Sequence, residues 1–593
     1  MSMIELIKEA YIDPIRSVMV VDDEYPTLTN LIVGTDMSSP ENKDRLSEVI
    51  TMCRQSENNW MLDVHDGNFS GTGDVDNLHH SDLLILDYHL EGNGDDGRGD
   101  LALGVLSTLA KKEHFNLVVV HTKGYTGEGA DEGYRAVFKD IVFHLQKEKN
   151  FQPMPPKLFQ SKVEDAMDDW ELARDGIIDT LVDCISDLDF LNLKNRYENA
   201  MQVDDCCREL AELKSRYDDR PNDDDLDKLE FRYLKWFILF EKGKKLKQHF
   251  GTAEFSDLCW SDGSDHMWVK AGNLFVSVVG KSVPTSELPS KLTLSLQNWC
   301  PHPHRLLLAK LRHKLDEHGF TFASGILDKK FIQAGWLREL LRCEEHEREN
   351  QSWVTAQNHL EELSWHYKDD LSQFLARVMT SIMESGEDQN AIECRYSEAH
   401  VLENELSIFQ SVNAFNNSIP VEGKHLSTGH ILKDISNNYF LVVTPACDLV
   451  PGRSGIDKIE AVIQRLYPVC QALQKDNDES VLDEVELLRR CKELVNSKQL
   501  IFLPLGEQIE VFCVVSKAYK NAGPKLMTLA FANEGRWDSS KKTVAYNLNL
   551  SLTPPQVRTC EYEVVGQLRY EYALHHSKVS GEHVSRIGLD YQA

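Results

Sequence analysis

The stretch SDLLILDYHLEG, Ser81 to Gly92, is an apolar strand that breaks off at an acid, Asp87. Three neighbouring stretches share its form: SVMVVDDE (Ser17 to Glu24), WMLDVHD (Trp60 to Asp66) and NLVVVHTKG (Asn116 to Gly124). Between them, ENKDRLSEVITMCRQ (Glu41 to Gln55) and LALGVLSTLAKKE (Leu101 to Glu113) carry helical spacing. Near-continuous apolar strands interleaved with helices predict an α/β doubly wound parallel sheet, covered on both faces. Such sheets bind their ligands outside the carboxyl ends of the strands. Asp22, Asp23, Asp87 and Thr122 all fall at those ends.

Three carboxylates brought together raise one another's pKa, so they stay ionised only with a cation among them. Oxygen-only ligands at a partly hydrated site favour Mg²⁺ over zinc. A divalent ion beside a carboxylate nucleophile suits phosphoryl transfer, with Asp87 attacking in line to become an aspartyl phosphate. Thr122 supplies a hydroxyl. The chemistry also asks for a lysine.

VMVVDDE, LLILDYHL and VVVHT, in that order, resemble the phosphoacceptor receiver domain of bacterial response regulators, a flavodoxin-like fold. The resemblance implies that Asp23 and Asp87 hold Mg²⁺ with the backbone carbonyl of His89, while Asp22 acts mainly through a metal-bound water. It implies a sensor histidine kinase as phosphodonor, and gives His89 and Gly124 the tuning of dephosphorylation. Receivers carry a Lys-Pro step after their fifth strand, which has no counterpart in the corresponding region. Lys123, Lys139 and Lys157 are the available lysines, with Lys139 or Lys157 favoured. Without a correctly placed lysine, phosphorylation is expected to be uncoupled from the usual switch.

The stretched loop after Asp87 and the long extension after the fourth strand resemble divergent receivers of anti-phage phosphorelays. A receiver with a large carboxy-terminal part and no evident effector is similar to the DtcB family of phosphate-sink components in the three-component Detocs defence systems. That likeness implies a sink that drains phosphate from the kinase, and a second receiver-effector protein as an indirect partner. The alternative is an effector or toxin whose carboxy-terminal part is released by phosphorylation. No P-loop, GxSxG or HExxH supports an independent catalytic domain. Enzymatic activity is expected to be at most self-phosphorylation and slow autodephosphorylation. A haloacid-dehalogenase-type phosphatase would need a second Asp where His89 stands.

Beyond the strands, KVEDAMDDWELARDGIIDTLVDCISDLDFL (Lys162 to Leu191) is helical by period. Amphipathic patterns then dominate to about Glu384, interrupted by a hairpin at MWVKAGNLFVSVVG, Met267 to Gly280. HILKDISNNYFLVVTPACDLVPG, QLIFLPLGEQIEVFCVVSK and KTVAYNLNLSLTP predict a β-rich end, a small barrel, with a helical excursion from Lys458 to Lys498. The expected domains are 1–194 for the receiver with its extension, 195–395 for a mostly helical region, and 396–593 for the β-rich region.

The length of 593 residues exceeds one hydrophobic core. A net charge of -31 argues against nucleic acid as the partner. The basic run EKGKKLKQ, Glu241 to Gln248, reads as the solvated end of a helix. No apolar run approaches the roughly 20 residues of a membrane span, and thirteen cysteines lack a paired framework. A cytoplasmic protein with reduced thiols is therefore expected. CPHPH (Cys300 to His304) and CEEH (Cys343 to His346) read as a loop and a helix face rather than zinc sites. Cys447 in TPACDL reads as a buried structural thiol at a strand end.

Overall fold

The computed structural model describes residues 2–34, 39–55, 58–67, 78–90, 99–125, 133–147, 160–198, 203–220, 229–252, 255, 257–263, 266–318, 329–343, 348–397, 399–452, 457–473, 483–495, 499–506, 508–514, 525–537, 539–549 and 556–584. The chain falls into two compact units. One comprises Met1–Gly319 with Tyr367–Asp388, the other Phe320–His366 with Gln389–Ala593.

The first unit is built on a seven-stranded sheet. Its strands are β1 (Ser17–Val21), β2 (Met61–His65), β3 (Leu83–Leu86), β4 (Asn116–Thr122), β5 (Cys259–Gly263), β6 (His266–Ala271) and β7 (Leu274–Gly280), in the order β2-β1-β3-β4-β7-β6-β5. The first five strands in that order run parallel, and β5 and β6 extend the far edge antiparallel. All of β3 and all of β4 are buried, which is why β3 and the Leu117–Val120 centre of β4 read as unbroken apolar runs. Helices Asp100–Ala110 and Gly133–His144 send Leu106, Leu109, Phe138 and Ile141 into the core against them.

The fifth parallel strand comes from far along the chain. After β4 the chain leaves the sheet, forms helices including Gln160–Ala173, Ile177–Asp183, Asp187–Glu198 and Phe231–Leu246, and returns through the β5–β6 hairpin. Only then does β7 pair with β4, in a full register from Asn116↔Leu274 to Thr122↔Gly280. The hairpin expected at Met267 to Gly280 is present, but as part of the seven-stranded sheet rather than of a separate helical region. The expected boundary at residue 194 therefore falls inside the first unit, because β4 would otherwise be left with a bare edge. Leu181, Phe190, Leu234 and Ile238 of the intervening helices join the same core as β3 and β4.

The stretch from Lys162 to Leu191 is helical as expected, in separate helices, with Gly176 at φ 75° preceding the one that starts at Ile177. Lys244 and Lys245 sit at a half-exposed helix end, as the basic run suggested, whereas Lys242 is buried against Asp187 at 2.7 Å. In the C-terminal part of helix Arg348–Met383, Tyr367, Phe374 and Val378 are buried, and Arg377 grips Glu9 with two hydrogen bonds of 2.7 and 2.8 Å.

The second unit holds an antiparallel β-barrel. Its strands are β8 (Ser418–Ile419), β9 (His430–Asp434), β10 (Tyr439–Val442), β11 (Lys458–Pro468), β12 (Leu500–Leu505), β13 (Gln508–Cys513), β14 (Leu526–Ala532), β15 (Lys542–Asn549) and β16 (Gln556–Leu568). Strands β10-β9-β16-β15-β14-β11 pair in sequence, and β11 pairs again with β10, closing the ring. Leu432, Phe440, Val442, Ile463, Phe531 and Val564 fill one core. Alternate residues Ile431, Tyr439 and Leu441 face a second core with Leu503 and Phe512 of the β12–β13 hairpin. A register shift between Val564 and Gly566 bends β16 there. A Cβ on Gly566 would lie 2.2 Å from Leu503 Cδ1, so a larger residue here would have to displace the Leu503 side chain.

Two expectations for this region are corrected. Lys458–Pro468 is a strand, not the start of a helical excursion; its Ile459, Ala461 and Ile463 alternate inward with period two. The helical part is confined to Val469–Leu473 and Glu484–Val495 among the described residues. Cys447 is exposed on the short turn Ala446–Asp448 rather than buried. Thr444, before that turn, is the buried member of the motif: its side-chain oxygen accepts the Val462 amide at 2.6 Å.

Candidate functional site

The parallel register aligns four strand ends on one edge. Val21 pairs with Leu86, Leu86 with Val120, and Thr122 with Gly280, so the next residues of β1, β3 and β7 are Asp22, Asp87 and Lys281. Backbone bonds carry the sheet past its last paired residues. The Asp87 amide donates to Val21 O at 2.8 Å, the Asp22 amide to His65 O at 3.1 Å, and the Lys281 amide to Thr122 O at 2.7 Å.

Asp22, Asp23 and Asp87 lie close enough that one carboxylate oxygen of each falls within 4.8 Å of the others. Asp22 and Asp87 are almost fully buried, and Thr122 is completely so. The ammonium of Lys281 bridges the first two, donating to Asp22 Oδ2 at 3.0 Å and to Asp87 Oδ2 at 2.7 Å. Both carboxylates hold its pKa above the ordinary lysine value despite burial, so it stays charged. Asp22 Oδ1 accepts the Glu24 amide at 2.9 Å, which leaves Asp22 fixed at both oxygens.

Asp87 is different. Its Oδ1 is buried and has no hydrogen-bond partner among the described residues. Burial pushes its pKa up, opposed by Lys281 and reinforced by Asp22 and Asp23. One ammonium balances one of three carboxylates. The remaining negative charge, the orphaned buried oxygen and the all-oxygen donor set together fit a small hard divalent cation such as Mg²⁺.

Lys123, which directly follows Thr122, is taken by Glu24, donating to its two oxygens at 2.8 and 3.0 Å. Lys139 points elsewhere: it pairs with Asp187 at 3.1 Å, on a helix of the inserted segment. It is not the lysine of the cluster. Lys157 lies outside the described residues. The residue that completes the acidic trio is Lys281, which sequence reasoning missed. The signal was available in LFVSVVGK, an apolar run ending on a polar residue like the other three strands.

The mouth is walled by aromatic groups. His89, two residues after Asp87, meets Tyr125 edge-on at 5.4 Å. Burial holds its imidazole below the usual histidine pKa, and its Nε2 is buried with no partner among the described residues. The hydroxyls of Tyr88 and Tyr125 both donate to Asp140 Oδ2, at 3.2 and 2.5 Å. Gly124 adopts φ 75°, and a Cβ there would lie 2.5 Å from the Gly133 carbonyl carbon. Glycine is thus required where the loop after β4 crosses the start of helix Gly133–His144.

The other sequence candidates do not gather ligands. Cys300 caps its helix with φ 53°, and His302 and His304 meet edge-on at 5.2 Å. Asp22, Asp23 and Asp87 form the one such cluster among the described residues. Most of CEEH, beyond Cys343, lies outside them.

Residues 14–152 match the family described as Response receiver domain. This part of the chain is a receiver domain. The match covers β1 to β4 and the acidic trio, and it ends well before β7 and Lys281. No curated protein and no solved structure matches the chain. No helix among the described residues is long and apolar enough to cross a membrane.

Proposed function

We propose that the chain is a phosphoacceptor of a phosphorelay, taking a phosphoryl group on Asp87 from a sensor histidine kinase. The observation that carries this reading is the buried, unpartnered Asp87 Oδ1, beside a lysine-bridged acidic pair at the strand ends of a receiver domain. Asp87 attacks the phosphorus in line. The phosphorus–nitrogen bond of the donor phosphohistidine breaks, its electron pair returns to the imidazole, and an aspartyl phosphate remains.

Lys281 sits on the other Asp87 oxygen, where it offsets the charge that gathers on the phosphoryl oxygens. The buried Thr122 hydroxyl, which accepts the Gly124 amide at 3.1 Å, would donate to a phosphoryl oxygen. Asp23, Asp87 and the His89 carbonyl would hold Mg²⁺, with Asp22 reaching it through water. The ion, when bound, neutralises phosphoryl charge. Neutral His89 beside Tyr125 controls access of water to the acyl phosphate, and its replacement by alanine alters the lifetime of the phosphorylated form.

The finer role we propose is that of a phosphate sink in anti-phage defence, similar to the DtcB family of Detocs systems. A sink needs an acceptor and no output enzyme, which suits a barrel whose interior is filled by side chains. The test starts with transfer of radiolabel from the phosphorylated kinase to wild type and to Asp87→Ala. Wild type takes up label and the variant does not; label on the variant overturns the assignment of Asp87. Expressing Asp87→Ala beside the kinase and a receiver-effector then separates the two roles. A lost sink makes the system self-activating and toxic, whereas a lost effector only removes protection.

A further inference from the structure

At the opposite end of the sheet from Asp87 lies a cavity of about 220 Å³. The residues that lead into β3, β4 and β7 form its floor, Asp82, Phe115 and Asn273 among them. Helix Pro303–His318 covers it, and the N-terminal segment around Tyr11 forms a side. None of these residues takes part in the phosphoacceptor site.

The wall is aromatic. Tyr11 and Phe115 stand 5.7 Å apart, and Phe115 stacks on Trp299 at 6.2 Å. Leu308, which also lines the cavity, is 63% exposed. Burial pushes the Tyr11 phenol well above its usual pKa, so it is a neutral hydroxyl.

Two guanidinium groups face this space, and they differ in what they already hold. Arg312 bonds Asp82 at 3.0 Å and the Phe115 carbonyl at 3.4 Å, with Asp316 at 3.5 Å. Among the described residues Arg305 makes one long hydrogen bond, 3.5 Å to Asp257 Oδ2, and its guanidinium lies 5.8 Å from the Trp299 ring centroid. That carboxylate is already engaged by the Lys270 ammonium and, at 2.8 Å, by the Gly272 amide. Arg305 therefore keeps most of its five donors for another acceptor. Across the cavity, the Nδ1 of His313 is buried without a partner among the described residues.

The lining thus offers one underused planar cation, a neutral imidazole and phenol, and flat apolar walls. The two guanidiniums of the lining are balanced by Asp82 and Asp316, so a doubly charged phosphate would add two uncompensated negative charges. A monocarboxylate adds only one, and its two oxygens match the planar fork of the Arg305 guanidinium. The volume lies below the ~300–1,000 Å³ of pockets for drug-sized ligands, which limits the body to one or two rings. We propose that this cavity binds a small aromatic monocarboxylate, its carboxylate on Arg305 and its ring against Tyr11 and Phe115.

Indole-3-acetate is a suitable probe, with indole-3-acetamide as its neutral counterpart, each titrated calorimetrically into the full chain. Wild type binds the acid saturably and at least tenfold more tightly than the amide. Arg305→Gln abolishes that preference, and Ala309→Phe, which fills the cavity, removes binding of both while circular dichroism stays unchanged. Failure of folded wild type to bind the acid overturns the proposal. Binding that survives both substitutions does so too, because it places the acid elsewhere.

Discussion

A single ammonium between two buried carboxylates is the most consequential residue-scale feature of the first unit. Removing one partner of a buried ion pair leaves the others uncompensated, which typically costs about 3–5 kcal/mol. Lys281→Met is expected to lose stability of that order in urea denaturation with chelator present, since Asp22 and Asp87 both depend on Lys281. Mg²⁺ should recover part of the loss, because a cation that binds only the folded trio stabilises by mass action. Asp23→Asn should weaken that recovery. A Lys281→Met variant as stable as wild type in chelator would show that the bridge contributes little. The trio itself was legible from strand ends that stop on acids. Lys281 was not, because the lysine was sought near β4 in sequence, whereas β7 delivers it across a long insertion.

At the scale of elements, legibility depended on whether a strand's neighbours are close in sequence. The runs of β1, β3 and β4 could be read directly, since each has an unbroken apolar centre and is followed by a helix. The place of β7 could not, although its hairpin with β6 was visible, because nothing local says that its other edge pairs with β4. β11 misled for a different reason: Ile459, Ala461 and Ile463 face one core while Val462 and Leu466 face another, so its period of two is blurred. If Lys458–Pro468 is a barrel strand, Ile463→Ala should cost about 2–5 kcal/mol, whereas exposed Glu460→Ala should stay within about 0.5 kcal/mol. Equal effects would argue against that packing. The insertion leads to a sharper expectation. A fragment ending at residue 152 retains the whole family match but lacks Leu274, Phe275, Val276, Val278 and Val279, all buried. Each such side chain contributes roughly 1.5–3 kcal/mol, and the sum rivals the total stability of about 5–15 kcal/mol for a domain. The fragment is expected to be unfolded or aggregated by circular dichroism and sedimentation. A soluble, cooperatively melting fragment would mean that β4 tolerates a free edge.

At the scale of the whole molecule, acid sensitivity follows from histidines that burial keeps neutral inside the two units, three of them most strongly. His121 in the first unit, and His430 and His576 in the second, are buried, and burial pulls each pKa down to about 4. His430 shows why charging is resisted. Its Nδ1 accepts the Ser427 amide at 2.9 Å while Nε2 faces Gln567 Oε1 at 3.2 Å, so a second ring proton would oppose the Ser427 N–H. A lowered folded-state pKa means that between about pH 6.5 and 4 the unfolded chain binds protons that the folded chain refuses. Stability is then fully present above pH 6.5 and falls as the pH drops through that window, by about 3 kcal/mol at most for each histidine. The net charge of -31 works in the opposite direction, because acid relieves self-repulsion in the folded state. Loss of stability on mild acidification would therefore point to the histidines rather than to global charge. Denaturant titrations from pH 7.5 to 4.5 should show it. His576→Leu should flatten the second unit's slope by up to about 1.4 kcal/mol per pH unit, the effect of one proton. A slope identical in variant and wild type would place the acid sensitivity in other groups.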